Sequence, residues 1–232
     1  MNIIVTGGTR GIGMQAALAL SADKSNRVLI IGRDSEAVER VCNSAAHDNI
    51  RGIVYDLREI EKSGKSLLAS INEHFTTVDR LVNNAGFLVN KRFDSISQEE
   101  IRQTMETNFF APAFLVKLLL PLFVSGSHIV NIGSMGGFQG STKFPGLSVY
   151  SASKAALACL SESLATELKD FGISVNCLAP GAVQTDMLAE AFPGYKAPVS
   201  AREMGNYIAG FTLTGHKLIN GKVIPVAGSN PD

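Results

Sequence analysis

The chain has 232 residues, of which 45% are hydrophobic and 18% are charged, so it can bury a sizeable core, and nothing within residues 1–232 indicates a linker between domains. Lysine plus arginine (21) balances aspartate plus glutamate (21) without a basic block, so we expect neither nucleic acid nor a membrane surface as a partner. Three cysteines without a CxxC pair favour a reducing, cytoplasmic location over a disulfide framework.

Short apolar runs alternate with helical patterns along the chain. The runs rich in valine and isoleucine lack polar alternation, as expected for strands buried on both faces of a parallel sheet. We predict strands at Ile3–Val5, Val28–Ile31, Gly52–Tyr55, Arg80–Val82, His128–Ile132, Ser174–Leu178 and Lys222–Val226. We predict helices at Gly13–Ala22, Ser35–Ala45, Lys62–Phe75, Gln98–Val124, Val149–Phe171 and Ser200–Phe211. This alternation predicts a single α/β domain with a doubly wound parallel sheet of about seven strands and helices on both faces.

Two apolar stretches bear on secretion and membranes. Ile3–Val5 runs into a glycine turn without a basic leader, so we expect no secretory signal. The stretch Phe109–Val124 is interrupted by Pro112, Lys117 and Pro121 and falls short of a membrane-spanning length. We therefore expect a buried or interface helix there.

A glycine-rich turn follows the first predicted strand. It reads Thr6-Gly7-Gly8-Thr9-Arg10-Gly11-Ile12-Gly13 and opens a predicted helix. Glycines in this context let the backbone approach a pyrophosphate, and the helix N-terminus offers N–H groups and partial positive charge to phosphates. The spacing is G-x-x-x-G-x-G rather than G-x-G-x-x-G, and a tight turn without a ligand is the alternative for the motif alone.

The second predicted strand ends at Gly32 and Arg33. An acidic residue in this region would bind the ribose of NAD, whereas an arginine accommodates the 2′-phosphate of NADP. Gly32 in place of an acid, together with Arg10, favours NADP(H), with NAD(H) as the less favoured cofactor. The alternative is that Arg33 is a solvated residue at a strand end.

Tyr150 and Lys154 are four residues apart on a predicted helix and therefore share one face. A phenol has a pKa near ~10 and needs a nearby cation to act as an acid or base at neutral pH, a charge that Lys154 can supply. Upstream, Ser134 follows a strand at the carboxyl edge of the sheet, where it could donate to a substrate carbonyl oxygen. Taken alone, the Tyr/Lys pair also fits a half-buried core tyrosine beside a solvated amine.

These motifs occur in order with Asn83-Asn84-Ala85-Gly86, Asn108 and Asn176-x-x-Ala179-Pro180-Gly181 followed by Thr185. Together they resemble the short-chain dehydrogenase/reductase family over essentially the whole chain. The resemblance implies a Rossmann-type fold and an NADP(H)-dependent oxidoreductase that transfers hydride between nicotinamide and a carbonyl or alcohol substrate. It also implies a homotetramer or homodimer, with the Phe109–Val124 and Tyr150–Phe171 helices as the interface.

The resemblance implies roles for four catalytic residues. Tyr150 would be the acid/base, and Lys154 would lower its pKa and bind the nicotinamide ribose. Ser134 would orient the substrate oxygen, and Asn108 would hold a water that links Lys154 to solvent. The implied cofactor-binding residues are Thr6, Gly7, Thr9, Arg10, Gly11, Ile12, Gly13, Arg33, Asp56, Leu57, Asn84, Ala85, Gly86, Tyr150, Lys154, Pro180, Gly181, Val183 and Thr185. Of these, Asp56 and Leu57 would touch adenine, and residues 180–185 would embrace the nicotinamide.

The chain departs from the family pattern in three places. The loop 135–149 is longer than usual. The substrate loop at about 186–200 is short, which suggests an open site. Near the C-terminus, Ala227 and Ser229 replace the usual aspartate and glycine. The predicted apolar pocket, which would accept a hydrophobic or acyl-bearing carbonyl compound, is formed by Phe87, Leu88, Met135, Phe138, Phe144, Met187 and Phe192.

Several alternatives to this function stay open at this point. A 3-oxoacyl-carrier-protein reductase would need a basic patch for an acidic carrier, and no clear basic cluster is visible. A non-catalytic dinucleotide sensor would not need Ser134, Tyr150, Lys154 and Asn108 together. An isomerase or dehalogenase on the same scaffold would typically lose the glycine turn or the tyrosine. The four histidines have no ligand spacing, so we expect no metal site.

Overall fold

In the computed structural model, which describes residues 1–228, seven parallel strands form one sheet. The strands are β1 (Asn2–Thr6), β2 (Arg27–Gly32), β3 (Ile50–Val54), β4 (Val78–Asn83), β5 (Phe123–Ile132), β6 (Ser174–Pro180) and, after two short strands described below, β9 (Val223–Val226). Their order in the sheet is β3-β2-β1-β4-β5-β6-β9. The predicted Rossmann-type, doubly wound sheet is therefore confirmed. Ser229, at which the sequence departs from the family pattern, lies outside the described residues.

Eight helices occur within residues 1–228. They are α1 (Gly11–Ser21), α2 (Ser35–Asn43), α3 (Ile60–Asn72), α4 (Gln98–Met105), α5 (Ala111–Leu119), α6 (Ser148–Glu167), α7 (Asp186–Ala191) and α8 (Ala201–Thr214). Successive strand residues point to opposite faces of the sheet, so Ile4 packs in one core and Ile3 and Val5 in the other. Helices α3, α5 and α6 cover the first face, and α1, α2 and α8 cover the second.

The position of β1 in the sheet determines where a ligand can bind. It pairs with β2 on one side and with β4 on the other. The chain therefore adds β2 and β3 on one side of β1 and the later strands on the other side, and the strand order reverses beside β1. Open α/β sheets bind ligands at such a reversal, outside the carboxyl ends of the strands. The glycine turn after β1 and the residues that follow β4 meet at this point.

The predicted helix Gln98–Val124 is wrong at its C-terminus and is not uniform. It contains α4, a π-helical turn at Glu106–Phe110 and α5, and it ends in a short 3-10 turn at Leu120–Leu122. Residue Phe123 already belongs to β5, because it pairs with Val78 of β4. The predicted start of this strand at His128 is therefore five residues late.

Other boundaries shift for local reasons. The helix predicted at Val149–Phe171 ends at Glu167, since a 3-10 turn and Gly172 with φ of 71° follow it. The helix predicted at Ser200–Phe211 runs to Thr214, and Ser200 is its N-cap within a capping box. The helices predicted to begin at Gly13 and at Lys62 each begin two residues earlier, and the latter ends at Asn72.

The apolar stretch Phe109–Val124, which we expected to fall short of a membrane-spanning length, belongs as far as Leu122 to the longer helical stretch Gln98–Leu122. The helical stretch has 25 residues, and its most apolar window of 18 residues has a mean hydropathy of 1.2, so it is long and apolar enough to cross a membrane by length and composition alone; a third of that window is buried. In the structure, the stretch continues through Pro112, which occupies the first turn of α5, where its missing N–H is tolerated. Leu115 and Leu119 are fully buried against the sheet.

The predicted substrate loop contains α7 and is closed at its base. Two short strands, β7 (Val183–Gln184) and β8 (Val199–Ser200), pair in parallel on either side of it. We call residues 186–198 between them the α7 segment. Every residue of α7 is exposed or half-buried. Away from the base, Nδ2 of Asn90 donates a hydrogen bond of 2.7 Å to the carbonyl oxygen of Ala191.

Candidate active site

A cavity of about 880 Å³ lies along the carboxyl ends of the strands. Most of the site residues predicted from the sequence line it, namely Gly7, Thr9, Arg10, Gly11, Ile12, Arg33, Asp56, Leu57, Asn84, Ala85, Gly86, Ser134, Tyr150, Lys154, Pro180, Gly181, Val183 and Thr185. Thr6, Gly13 and Asn108 lie behind the cavity wall, where they support residues that line it.

The glycine turn between β1 and α1 is built for close backbone approach. Gly7 and Gly11 adopt φ values of 63° and 54°, which favour glycine. A side chain at Gly13 would place its Cβ 2.3 Å from the carbonyl oxygen of Gly7. Arg10 is the N-cap of α1, and within residues 1–228 its side chain makes no capping hydrogen bond. The first N–H groups of α1 are therefore suited to an acceptor supplied by a ligand.

Hydrogen bonds join this turn to the residues that follow β4. The hydroxyl oxygen of Thr6 accepts hydrogen bonds of 3.0 Å from the backbone N–H groups of Asn84 and Ala85. The side-chain amide of Asn84 donates to the carbonyl oxygens of Thr6 and Gly7, at 3.1 and 3.2 Å. Thr6 and Asn84 therefore hold the two sides of the cavity floor in register.

One end of the cavity is cationic. Arg33 is exposed just after β2, and Arg10 lines the same end. The Arg58 guanidinium is 2.5 Å from an Asp56 carboxylate oxygen, and this hydrogen-bonded pair holds the pKa of Asp56 below its usual range. At the neighbouring Gly32, an added Cβ would lie 2.5 Å from Cγ2 of Thr9. An acid at position 32 would therefore have to displace the side chain of Thr9.

Ser134, Tyr150 and Lys154 meet at the other end of the cavity. Tyr150 and Lys154 lie on α6, and Ser134 follows β5, where its hydroxyl accepts from the N–H of Gly136 at 3.1 Å. Lys154 is 4% exposed, its amine donates to the carbonyl oxygen of Ile132 at 2.8 Å, and burial lowers its pKa to about 8. Burial raises the pKa of Tyr150, and a hydrogen bond with Ser134 opposes this rise.

Burial sets the direction of the pKa shift of Tyr150. The Lys154 amine lies 6.0 Å from the centroid of the Tyr150 ring, and the pKa of Tyr150 is raised rather than lowered. The physical reason is that the amine is directed to the carbonyl of Ile132, while burial disfavours the phenolate. At neutral pH this arrangement keeps the phenol protonated.

The side chain of Asn108 is fully buried in the π-helical turn between α4 and α5. Its amide oxygen accepts from the N–H of Phe87 at 2.8 Å, and its amide nitrogen donates to the carbonyl of Phe87 at 2.8 Å and to the Ser153 hydroxyl at 3.0 Å. These bonds connect the π-helical turn to the loop after β4 and to α6. Pro112, four residues later, has no N–H to offer the backbone carbonyl of Asn108.

The half of the cavity beyond Ser134 and Tyr150 is mainly apolar. We call it the substrate half, and we assign to it the lining residues Phe87, Leu88, Met135, Gly136, Phe144, Leu147, Asp186, Met187, Leu188, Glu190, Phe192 and Tyr195. Phe138, which the sequence predicts in this pocket, lies outside the wall. The prediction missed Gln103 and Thr107, which also line the cavity, although their spacing of four residues places both on one face of a helix.

Two histidines that are far apart in sequence come together at the opposite edge of the sheet. The rings of His128 and His216 are 5.3 Å apart, and an Arg80 nitrogen lies 3.2 Å from Nε2 of His216. Burial lowers the pKa of His128 to about 4. The adjacent guanidinium would repel a cation, and residues 1–228 contain no cluster of three or more ligating side chains that could hold a metal ion.

Comparisons with known proteins agree with this fold. The family model described as short chain dehydrogenase matches residues 1–196. Carbonyl reductase family member 4 of Danio rerio is 36% identical over 187 residues, which are 80% of this chain and 77% of that protein. A 3-oxoacyl-(acyl-carrier-protein) reductase of Haemophilus influenzae is 37% identical over 187 residues, which are 79% of this chain and 74% of that protein.

Solved structures show the same architecture over nearly the whole chain. A dehydrogenase/reductase from Sinorhizobium meliloti has a TM-score of 0.87 and 28% identity, with coverage of 100% of this chain and 95% of that one. A short-chain dehydrogenase from Burkholderia cenocepacia in complex with NADP also has a TM-score of 0.87 and 28% identity, with coverage of 98% and 96%. This chain therefore belongs to the short-chain dehydrogenase/reductase family of oxidoreductases.

Proposed function

We propose that the protein is an NADP(H)-dependent oxidoreductase that interconverts a carbonyl compound and an alcohol. The observation that carries this proposal is that a single cavity has exposed Arg33 at one end and Ser134, Tyr150 and Lys154 at the other. Between them lies the glycine turn, which suits a pyrophosphate. The arrangement matches a ligand with a phosphate-bearing adenosine at one end and a reactive ring at the other.

The residues of the cationic end fit NADP(H) better than NAD(H). Arg33 and Arg10 can bind a 2′-phosphate, which carries a charge of roughly −1.5 to −2 at neutral pH. An acid that would bind the ribose hydroxyls of NAD is absent at Gly32, and the Thr9 side chain crowds that position. The solved relative from Burkholderia cenocepacia in complex with NADP supports the same preference.

The chain supplies the proton and the orientation for this reaction. NADP(H), when bound, supplies or accepts the hydride. In reduction, Tyr150 donates its proton to the substrate oxygen, since a phenol carries its proton at neutral pH. The Ser134 hydroxyl orients that oxygen, and the Lys154 amine, which is charged below pH of about 8, stabilises the phenolate that remains. Asn108 would hold the linking water through its backbone carbonyl, because its side chain is already engaged.

A second candidate function is reduction of a 3-oxoacyl group on a carrier protein. It is favoured by the 37% identity to the Haemophilus influenzae reductase of that name. The apolar substrate half would suit an acyl chain. Turnover of a 3-oxoacyl thioester of N-acetylcysteamine tests the chemistry without the carrier, and a large gain with the carrier-bound form would favour this candidate over a general carbonyl reductase.

The experiment that tests the leading proposal combines binding and turnover. Purified protein is titrated with NADPH and NADH by fluorescence or calorimetry, and a panel of aldehydes and ketones is then assayed with wild type and Tyr150→Phe. We expect tighter NADPH binding, and a loss of about 10²- to 10⁴-fold in kcat for the variant with cofactor binding retained. Tyr207→Phe, at an exposed position on α8, is the matched control. Failure to bind either cofactor would refute the proposal.

We also propose that the protein assembles into homodimers or homotetramers through the helical stretches Phe109–Val124 and Tyr150–Phe171. Phe110 is 43% exposed and stacks on Phe114, and Leu120 and Val124 are also exposed nearby. Grouped exposed apolar side chains mark interaction surfaces. Light scattering of wild type and Phe110→Glu should show a multimer that the substitution weakens. The three cysteines within the described residues are free, in keeping with the cytoplasmic location that we propose.

A further inference from the structure

We propose that the substrate half of the cavity selects uncharged carbonyl compounds and rejects anionic ones, with Glu190 as a specificity-determining residue. This inference rests on the proposed function and names its substrate class. Its basis is the distribution of charge along the cavity wall, which differs between the two ends.

All four cationic side chains among the described lining residues lie at the cofactor end or at the catalytic centre. Arg10 and Arg33 line the end with the glycine turn, and Arg58 is paired with Asp56. Lys154 is buried, and its amine donates to the carbonyl oxygen of Ile132. A carboxylate on a substrate would therefore find no cation in the substrate half.

Four cationic residues that are close in sequence to lining residues do not themselves line the cavity, namely Lys91, Arg92, Lys143 and Lys196. The amine of Lys143 donates to the carbonyl oxygens of Gly136 and Phe138 and to the hydroxyl of Ser141, at 2.8 to 2.9 Å. Lys91 is paired with Glu100, and Arg92 with Asp94. On the α7 segment, Lys196 is exposed and is not part of the cavity wall, whereas Tyr195 beside it is.

The polar side chains in the substrate half are neutral or negative. Asp186 and Glu190 line the wall from the α7 segment, and the Tyr195 hydroxyl is the neutral polar group on that segment. Glu190 is exposed, so its repulsion is screened by solvent and salt but is not removed. The remaining side chains are aromatic or aliphatic, and they leave a carboxylate without compensation for the loss of its hydration.

A matched set of aryl ketones isolates charge from size. The set is 4-acetylbenzamide, methyl 4-acetylbenzoate and 4-acetylbenzoate, which carry the same ketone and differ in the group opposite to it. With NADPH we expect kcat/KM for the amide and the ester to exceed that for the acid by about 100-fold, because the acid must desolvate its charge without a partner. Binding of the three ketones to protein saturated with NADP, measured by calorimetry, should show the same order.

A charge reversal at Glu190 tests its role. Glu190→Arg should raise the ratio of kcat/KM for 4-acetylbenzoate to kcat/KM for the amide and the ester by about 10-fold, since only the acid gains a Coulombic attraction. Glu73→Arg, at an exposed carboxylate just beyond α3, is the matched control and should change none of the three.

Two outcomes overturn the inference. One is wild-type protein that uses or binds the acid within about threefold of the amide, and the other is an equal response of all three ketones to Glu190→Arg. A failure of the proposed function is distinguishable, because it would show as absent NADPH binding or as absent turnover over the whole panel of aldehydes and ketones.

Discussion

Replacement of Arg33 by alanine should separate the two cofactors. Arg33 is exposed at the cationic end of the cavity, so its interaction with a 2′-phosphate occurs in a partly aqueous medium. One pair of unit charges 4 Å apart in water interacts by about 1 kcal/mol, and a hydrogen bond to a charged group contributes about 1.5 to 3 kcal/mol. We take about 2 kcal/mol for the contact, which corresponds to roughly 30-fold in Kd.

The assay is a titration of wild type and Arg33→Ala with NADPH and with NADH at two ionic strengths. The Kd for NADPH should rise by about 30-fold at low salt and by less at high salt, because an exposed charge pair is screened. The Kd for NADH should change by less than about twofold, since NADH has no phosphate to lose a contact. Arg40→Ala, which removes an exposed arginine of α2 that pairs with Glu36, is the control.

Equal effects of Arg33→Ala on the two cofactors would refute this reasoning. Such a result would mean that Arg33 supports the local structure of the cavity rather than a phosphate. An unchanged Kd for NADPH would instead mean that Arg33 is a solvated residue after β2, which is the alternative that the sequence leaves open. In either case the preference for NADP(H) would have to rest on Arg10 alone.

Three further predictions concern the catalytic amine, the α7 segment and the cofactor end. kcat/KM for carbonyl reduction should fall above about pH 8, because the Lys154 pKa is lowered to about 8 and its charge is lost as the pH rises through that value. Asn90→Ala should increase tryptic cleavage after Lys196 by about fivefold, because one hydrogen bond of roughly 1 kcal/mol is removed from the α7 segment. Gly32→Asp should destabilise the protein by about 1 to 3 kcal/mol in urea unfolding, and Thr9→Ser should recover part of this loss by removing the crowding methyl group.

Each of these predictions has a clear contrary result. A value of kcat/KM for carbonyl reduction that stays constant to about pH 10 would show that the charge of Lys154 is not required. Cleavage after Lys196 that does not respond to Asn90→Ala would show that the α7 segment is held at its base alone. Additive effects of Gly32→Asp and Thr9→Ser would show that the two side chains do not meet.

The sheet is predictable from the sequence because its strands are buried on both faces. Ile3, Ile4 and Val5 are all fully buried, so the run reads as an unbroken apolar segment. The start of β5 is not predictable in this way. Residues 124–126 are exposed and include the polar Ser125, and the segment is extended because Phe123 pairs with Val78, which is 45 residues earlier in the chain.

The candidate site is predictable as a set of motifs but not as a network. The positions that line the cavity follow strands or start helices, and these are visible as short motifs such as Tyr150 and Lys154. The contacts of Asn108 with Phe87 and Ser153 join residues 21 and 45 positions away, so only folding brings them together. Helix α7 has six residues and no buried side chain within it, which leaves no amphipathic pattern to detect.

Because β7 pairs with β8, the α7 segment leaves the domain and returns to it beside the same two-stranded sheet. Val183 and Val199 fix that place whatever the length of chain between them. Doubling the length of a flexible loop costs only about 0.6 kcal/mol in closure entropy. Residues 186–198 can therefore be exchanged as a cassette to graft a new substrate range, while the sheet, the glycine turn and α6 keep their packing.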